Sequence, residues 1–205
     1  LFGKVNRVVS TKQLIDKKQL AQLKVMCLNL KYPESEAKKV YGVKYFEELE
    51  YLTQNTARNK YIRNLALALK GNTLLLFQLV EKHGEILFNL IKEKADPKRK
   101  VFFVYGGTET DDREKIRAIT EKSDNAIIVA SFGTFSTGIN IRNLHNIVFS
   151  SPTKSPIRVL QSIGRGLRVG DKKDSATVYD ISDDLTYKDK KNFTLTHFQE
   201  RVGIY

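Results

Sequence analysis

Gln161, Arg165 and Arg168 stand four and three residues apart in the string Gln161-Ser162-Ile163-Gly164-Arg165-Gly166-Leu167-Arg168. On an α-helix, at about 100° per residue, these side chains fall within about 60° of one another, placing one amide and two guanidinium groups along a single face. A planar guanidinium meets two phosphate oxygens at once, so the stripe has the chemistry of a phosphate reader. Ile157, Leu160, Ile163 and Leu167 occupy the adjoining arc, which lets the helix bury one side while the arginines look into a cleft. Ser155-Pro156 supplies an N-cap and an N1 proline ahead of the string. Gly164 and Gly166 each cost about 1 kcal/mol against alanine inside a helix, so their presence implies close backbone approach or a loosened helix end. The competing reading is a pair of arginines on a solvated helix face.

A second group of candidates consists of small polar residues in loops. Tyr105-Gly106-Gly107-Thr108 follows one apolar run, Ser131-Phe132-Gly133-Thr134-Phe135-Ser136-Thr137-Gly138-Ile139-Asn140 follows another, and Ser150-Ser151-Pro152-Thr153-Lys154 a third. Glycine lets backbone N–H groups approach a phosphate, and hydroxyls donate to its oxygens. Each loop alone reads equally as a tight turn at a strand end. Together at one edge they would track a sugar-phosphate backbone without reading its sequence.

The elements that must position these residues are legible from Thr73 onward, where strands and helices alternate. Strands are expected at 73–80, 100–105, 126–131, 145–150 and 177–181, with helices at 84–94, 110–122 and 157–168. Leu74-Leu75-Leu76-Phe77 and Ile127-Ile128-Val129-Ala130 are continuous apolar runs, as a sheet covered on both faces requires. Alternation with helices makes the sheet mostly parallel and doubly wound, an α/β fold in which ligands bind beyond the carboxyl ends of the strands. A helix at 56–70, stopped by Gly71-Asn72, precedes it. The earlier residues read differently: a short helix from Thr11 to about Leu20, a strand at 22–30, and an amphipathic helix over 33–53 with Val40, Val43, Phe46, Leu49 and Leu52 at three-residue steps. That helix either covers an edge of the core or is an insertion that touches DNA or a partner. The expected division is an N-terminal appendage at 1–55 and a main domain at 56–205.

With 35 Lys and Arg against 23 Asp and Glu, the formal net charge is +12, which favours an acidic partner, nucleic acid or an anionic surface. Solubility alone is the plainer account of that charge. Lys92, Lys94, Lys98, Arg99 and Lys100 cluster around Asp96-Pro97, a run read either as solvated surface or as a phosphate contact. Lys188, Lys190 and Lys191 precede Phe193, Leu195 and Phe198 in a tail expected to pack back on the domain, although basic residues beside aromatics also mark strand-binding surfaces. The sequence has no apolar run long enough for a membrane span and no signal-peptide pattern at its start. One cysteine, Cys27, and three dispersed histidines suggest a reducing compartment and offer no structural zinc site.

The Gln161–Arg168 string resembles motif VI of superfamily-two helicases, and Ser136-Thr137-Gly138-Ile139-Asn140 resembles their motif V. Order and spacing agree from about Thr73 to Asp180. The resemblance implies a RecA-like domain, the second of two that close on ATP and Mg2+. It assigns Arg165 and Arg168 to the β- and γ-phosphates of ATP, with Gln161 positioning a water or phosphate oxygen. Gly138, Asn140 and Gly164 would lie towards the nucleotide; many relatives carry Asp where Asn140 stands, which weakens a ribose hydrogen bond there. Thr108, Ser131, Thr134 and Thr137 would contact the nucleic-acid strand, with Gly106 and Gly107 allowing the approach. The sequence holds neither a G-x-x-x-x-G-K-S/T loop nor an acidic box of the Asp-Glu type, so the phosphate cradle and the magnesium carboxylate are expected from a first domain. The opening residues read as the interior of a longer polypeptide, and this chain alone is expected to hydrolyse no ATP. Implied partners are branched or single-stranded DNA, an RNA–DNA hybrid and that first domain, in the cytoplasm, or the host cytoplasm if the protein is viral. A double-strand translocase and a non-catalytic nucleic-acid-binding module are the alternatives.

Overall fold

The computed structural model describes residues 22–137, 141–153 and 175–203. Six strands form one sheet: β1 (Gln22–Lys31), β2 (Thr73–Phe77), β3 (Val101–Val104), β4 (Ile127–Ser131), β5 (Asn146–Phe149) and β6 (Ser175–Asp184). Their order is β1-β6-β5-β2-β4-β3, and every pairing is parallel. The expected parallel, doubly wound α/β sheet is therefore present. A parallel sheet needs cover on both faces. Alternate residues of β2 divide accordingly: Leu74 and Leu76 join Ile128, Ala130, Ile147 and Phe149 on one side, while Leu75 and Phe77 join Ile127, Val129 and Val148 on the other. All five residues of β2 are buried.

Helices close both faces. Helix α3 (Thr56–Ala68) and α4 (Glu85–Lys94) bring Ile62, Ala66, Leu87 and Ile91 to the Leu75 face. Helix α5 (Thr110–Glu121) and the short α6 (Phe132–Thr137) cover the Leu74 face through Ile116, Phe132 and Phe135. Asn55 begins α3 by accepting from the Arg58 N–H at 2.9 Å, an N-cap that satisfies one otherwise unpaired donor. The strand expected at 73–80 ends at Phe77, because the chain turns into a π-helical segment at Val80–Gly84 before α4.

The helix expected from Thr11 to about Leu20 lies outside the described residues, and residues 22–55 differ from expectation in one respect. The 33–53 segment is two helices, α1 (Glu34–Lys39) and α2 (Tyr45–Gln54), separated where Gly42 takes a φ of +80°, a left-handed conformation that glycine adopts without strain. Within α2, Leu49 and Leu52 are buried, but Phe46, about 120° from Leu52 around the helix, is 77% exposed. The strand expected at 22–30 is present as β1, paired along its whole length with β6 from Gln22↔Ser175 to Lys31↔Asp184. The tail packs back on the domain as α7 (Phe193–Val202), which buries Leu195 and Phe198. Glu48 of α2 caps its start, accepting from the N–H groups of Phe193 at 2.9 Å and Thr194 at 2.8 Å. Among the described residues no helix is long and apolar enough to cross a membrane.

Candidate nucleic-acid interface

Because all six strands run the same way, the loops after β3, β4 and β5 leave the sheet at its carboxyl edge. The loop after β3 is a closed turn. The Thr108 N–H donates to the Tyr105 carbonyl at 3.0 Å, and the Thr108 hydroxyl accepts from the Tyr105 N–H at 3.0 Å. Arg113, on α5, donates to the carbonyls of Thr108 at 2.8 Å and Gly106 at 2.9 Å. Those two acceptors are thus occupied by a cation, and the turn offers donors and positive charge to an incoming anion. The two glycines serve different ends. A Cβ on Gly107 would lie 2.7 Å from the Tyr105 ring, whereas one on Gly106 would meet nothing within 4 Å, so only Gly106 leaves open space outside the protein.

After β4 the Ser131 hydroxyl sits 2.8 Å from that of Thr134 and accepts from the Thr134 N–H at 3.2 Å, which starts α6. Thr134 is 5% exposed and Ser131 is half-buried, so the pair presents itself through Ser131. Thr137 closes α6. Gly138, Asn140, Gln161, Gly164, Arg165 and Arg168 lie outside the described residues.

The third loop is built differently from its sequence reading. Ser150, Ser151 and Thr153 are buried, and their hydrogen bonds point inward. The Ser150 hydroxyl donates to the Leu76 carbonyl at 2.7 Å, and Ser151 Oγ accepts from the Gln78 N–H at 3.1 Å. Two arginines hold this loop from opposite elements. Arg58, on α3, forms a two-pronged pair with Asp183 at 2.8 and 3.0 Å and donates its third arm to the Ser150 carbonyl at 2.8 Å. Arg201, on α7, does the same with Asp180 at 2.8 and 2.9 Å and reaches the Thr153 carbonyl at 2.6 Å. Both carboxylates come from β6, Asp180 from its middle and Asp183 from near its end, and both are 0% exposed. This loop is therefore a clamped anchor at the root of the segment that carries the arginine string, and it presents no hydroxyl surface.

Residues 57–170 match the family described as Helicase conserved C-terminal domain. The chain belongs to that family. As a helicase C-terminal domain it is 37% identical over 218 residues to the ATP-dependent DNA helicase uvsW of Enterobacteria phage T4, an alignment spanning all of this chain and 43% of that protein. It is 25% identical over 173 residues to the putative ATP-dependent helicase IRC3 of Saccharomyces cerevisiae, covering 82% of this chain and 24% of that one. The crystal structure of T4 UvsW superposes with a TM-score of 0.77 at 34% identity, over 91% of this chain and 40% of that chain. The restriction-modification enzyme LlaBIII bound to DNA shares the fold at a TM-score of 0.61 and 17% identity, over 93% of this chain and 14% of that one. The helicase domain thus spans less than half the length of these relatives.

Within this domain the residues that sequence reasoning missed are the buried ionic ones. Asp180 and Asp183 lie in a strand of otherwise buried pattern, and a carboxylate there requires a cation or several donors, a signal that points to partners without naming them. His83 was also missed. It is fully buried, with Nδ1 2.7 Å from Ser151 Oγ and, among the described residues, no hydrogen-bond partner for Nε2. Burial, reinforced by the charge of Arg58, pushes its pKa well below the ordinary histidine value. Below pH about 6.5 the unfolded chain takes up a proton that the folded ring refuses, so this site makes stability fall as pH drops from that value towards the depressed one, by about 1.4 kcal/mol per unit. Replacing His83 by Gln is expected to remove that share of the acid-side slope, read as the change in urea midpoint between pH 7.5 and pH 5 in variant and parent. Equal slopes in the two proteins would show that the ring titrates normally.

Proposed function

We propose that this chain is the second RecA-like motor domain of an ATP-dependent superfamily-two helicase acting on branched DNA, or on RNA–DNA hybrids, during recombination and replication. Residues 56–205 form the motor domain, and residues 1–55 are an N-terminal addition joined to it through β1. The observation that carries the reading is the parallel sheet of a helicase C-terminal domain with the Thr108 and Ser131 turns at one carboxyl edge, where a sugar-phosphate backbone would cross. Similarity to the ATP-dependent DNA helicase uvsW of phage T4 supports DNA as the substrate class.

Bound ATP supplies the driving reaction, transfer of its γ-phosphoryl group to water. Arg165 and Arg168 neutralise charge on that group, and Gln161 orients a water or a phosphate oxygen. Gly138, Asn140 and Gly164 approach the nucleotide. Among the described residues no cluster of His, Cys, Asp or Glu could hold a metal ion, and in this reading Mg2+ is held by a carboxylate of the first domain. Thr108, Ser131 and Thr137 hold the strand, Thr134 positions the Ser131 hydroxyl, and Gly106 allows the close approach while Gly107 makes room for the Tyr105 ring. Closure on ATP and opening after hydrolysis alternate the grip. The grip is tested by Thr108→Ala with Ser131→Ala. Losing two hydroxyl donors to phosphate is expected to weaken single-stranded DNA binding at every salt concentration and to leave the slope of log K against log salt nearly unchanged, because neutral hydroxyls displace no counterions. An unchanged affinity removes these turns from the interface.

A further inference from the structure

The opposite edge of the sheet carries a charge concentration that the grip on the strand does not use. Lys100 directly precedes β3 and Ala126 directly precedes β4, and between them opens a cavity of about 740 Å³ lined by Lys94, Lys98, Arg99, Lys100 and Lys122, with Asp96 and Asp124. A contiguous hollow of about 210 Å³ adds Lys92 and shares Asp96 and Arg99. Arg99 is the fixed point of the groove. Its guanidinium donates to the carbonyls of Leu67 at 2.7 Å, Leu69 at 2.8 Å and Asn125 at 3.2 Å, none of them a charged acceptor. Burial lowers its pKa, the mark of a cation set into the protein without a neutralising carboxylate.

The plain explanation is that these cations offset helix dipoles, since α3, α4 and α5 all end at this edge. Magnitudes decide against that as the whole account. Three helix C-termini contribute about −1.5 charges in all. The groove and its rim hold six cations, Lys92 included, against Asp96, Asp124 and Glu93, which pairs with Lys94 at 3.2 Å. An excess of about 1.5 positive charges remains after the helix ends are counted. Lys98, Lys100 and Lys122 make no ion pair among the described residues. A protein partner fits poorly, because interface cores are apolar and poor in lysine, and among the described residues Leu67 and Ala126 are the only apolar ones lining the larger cavity. The five residues of β4 separate this groove from the Ser131 turn by roughly 17 Å, so a nucleotide held at one edge is out of reach of the other.

We propose that this groove is a second nucleic-acid site, holding the sugar-phosphate backbone of a strand or duplex arm other than the one at the carboxyl edge. The inference rests on the reading of the domain as a DNA motor, and a branched substrate presents such an arm. The test compares the 205-residue chain with its Lys98→Gln/Lys100→Gln/Lys122→Gln variant, using a forked duplex and an eight-nucleotide single strand across a salt series. The expected result is a tenfold or greater loss of affinity for the fork, a salt slope smaller by about 2.7, and little change for the short strand. The Thr108→Ala/Ser131→Ala variant should show the reverse emphasis. Fork binding unchanged in the lysine variant, with the short strand still lost in the threonine–serine variant, overturns the second site and leaves the carboxyl-edge interface standing. Equal weakening of both DNAs by the lysine variant also overturns it, since a general charge effect would then suffice. A parent chain that binds neither DNA removes both sites. The three lysines lie on exposed or partly exposed positions, so an unchanged urea midpoint is the control for folding.

Discussion

Replacing Arg165 or Arg168 by alanine in the polypeptide that contains this domain is expected to lower DNA-stimulated ATP hydrolysis by two or more orders of magnitude at saturating DNA, with DNA affinity kept. A guanidinium fixed beside a transferring phosphoryl group neutralises charge that is greatest in the transition state, an effect worth about 10³ to 10⁵ in rate for such arginines generally. Two orders of magnitude correspond to about 2.7 kcal/mol of barrier. The loss should fall on kcat rather than on the KM for ATP, because an interaction made chiefly in the transition state does not hold the ground state. Lysine at either position should recover little, since an ammonium cannot reproduce the planar two-pronged contact. Undiminished turnover in both alanine variants would assign the arginine string a structural role and leave the module without the chemistry proposed for it. The same measurement separates a motor from a nucleic-acid-binding domain that has kept only the fold.

Much of the scaffold was legible because its rules are local. Four consecutive apolar residues in Leu74–Phe77, repeated at Ile127–Ala130, have one economical solution, a strand covered on both faces, and alternation with helices then makes the sheet parallel. That one topological fact carries the Thr108 and Ser131 turns to a common edge, as expected. The break between α1 and α2 was hidden for the opposite reason: a three-residue stripe continues on paper through Gly42, and only the backbone shows that it stops. The loop at Ser150–Thr153 misled because serine and threonine hydroxyls suit a phosphate or a buried carbonyl equally well. The serine hydroxyls meet the Leu76 carbonyl and the Gln78 N–H, and the loop is held in that position through its carbonyls by Arg58 and Arg201, respectively 92 and 48 residues away in sequence. No local spacing records such a pairing. The carboxylates of β6 announced that cations were required without saying which.

Those distant pairings set the second large expectation. Arg58→Ala should destabilise the domain by about 3–5 kcal/mol, because it leaves Asp183 charged, fully buried and without its cation. Burial works against the charge on Arg58, and the adjacent Asp183 carboxylate more than offsets it, holding the guanidinium pKa up. Either partner alone is thus a liability. Asp183→Leu should cost a similar amount, while Arg58→Met with Asp183→Leu should recover much of it, since apolar groups of like volume avoid both desolvation penalties. Urea midpoints of the two single variants and the double variant measure the coupling, and additive losses would mean that the pair does not act as a unit. Stability and function then separate. The double variant restores burial, yet it still lacks the donor to the Ser150 carbonyl, so the loop that leads to Arg165 and Arg168 keeps one of its two arginine anchors, Arg201. Faster amide exchange at Ser150 and Ser151 in an otherwise stable double variant, together with reduced ATP turnover in the parent polypeptide, is the expected signature of a clamp that positions the arginine segment. Full turnover with the anchor gone would confine Arg58 to holding the core.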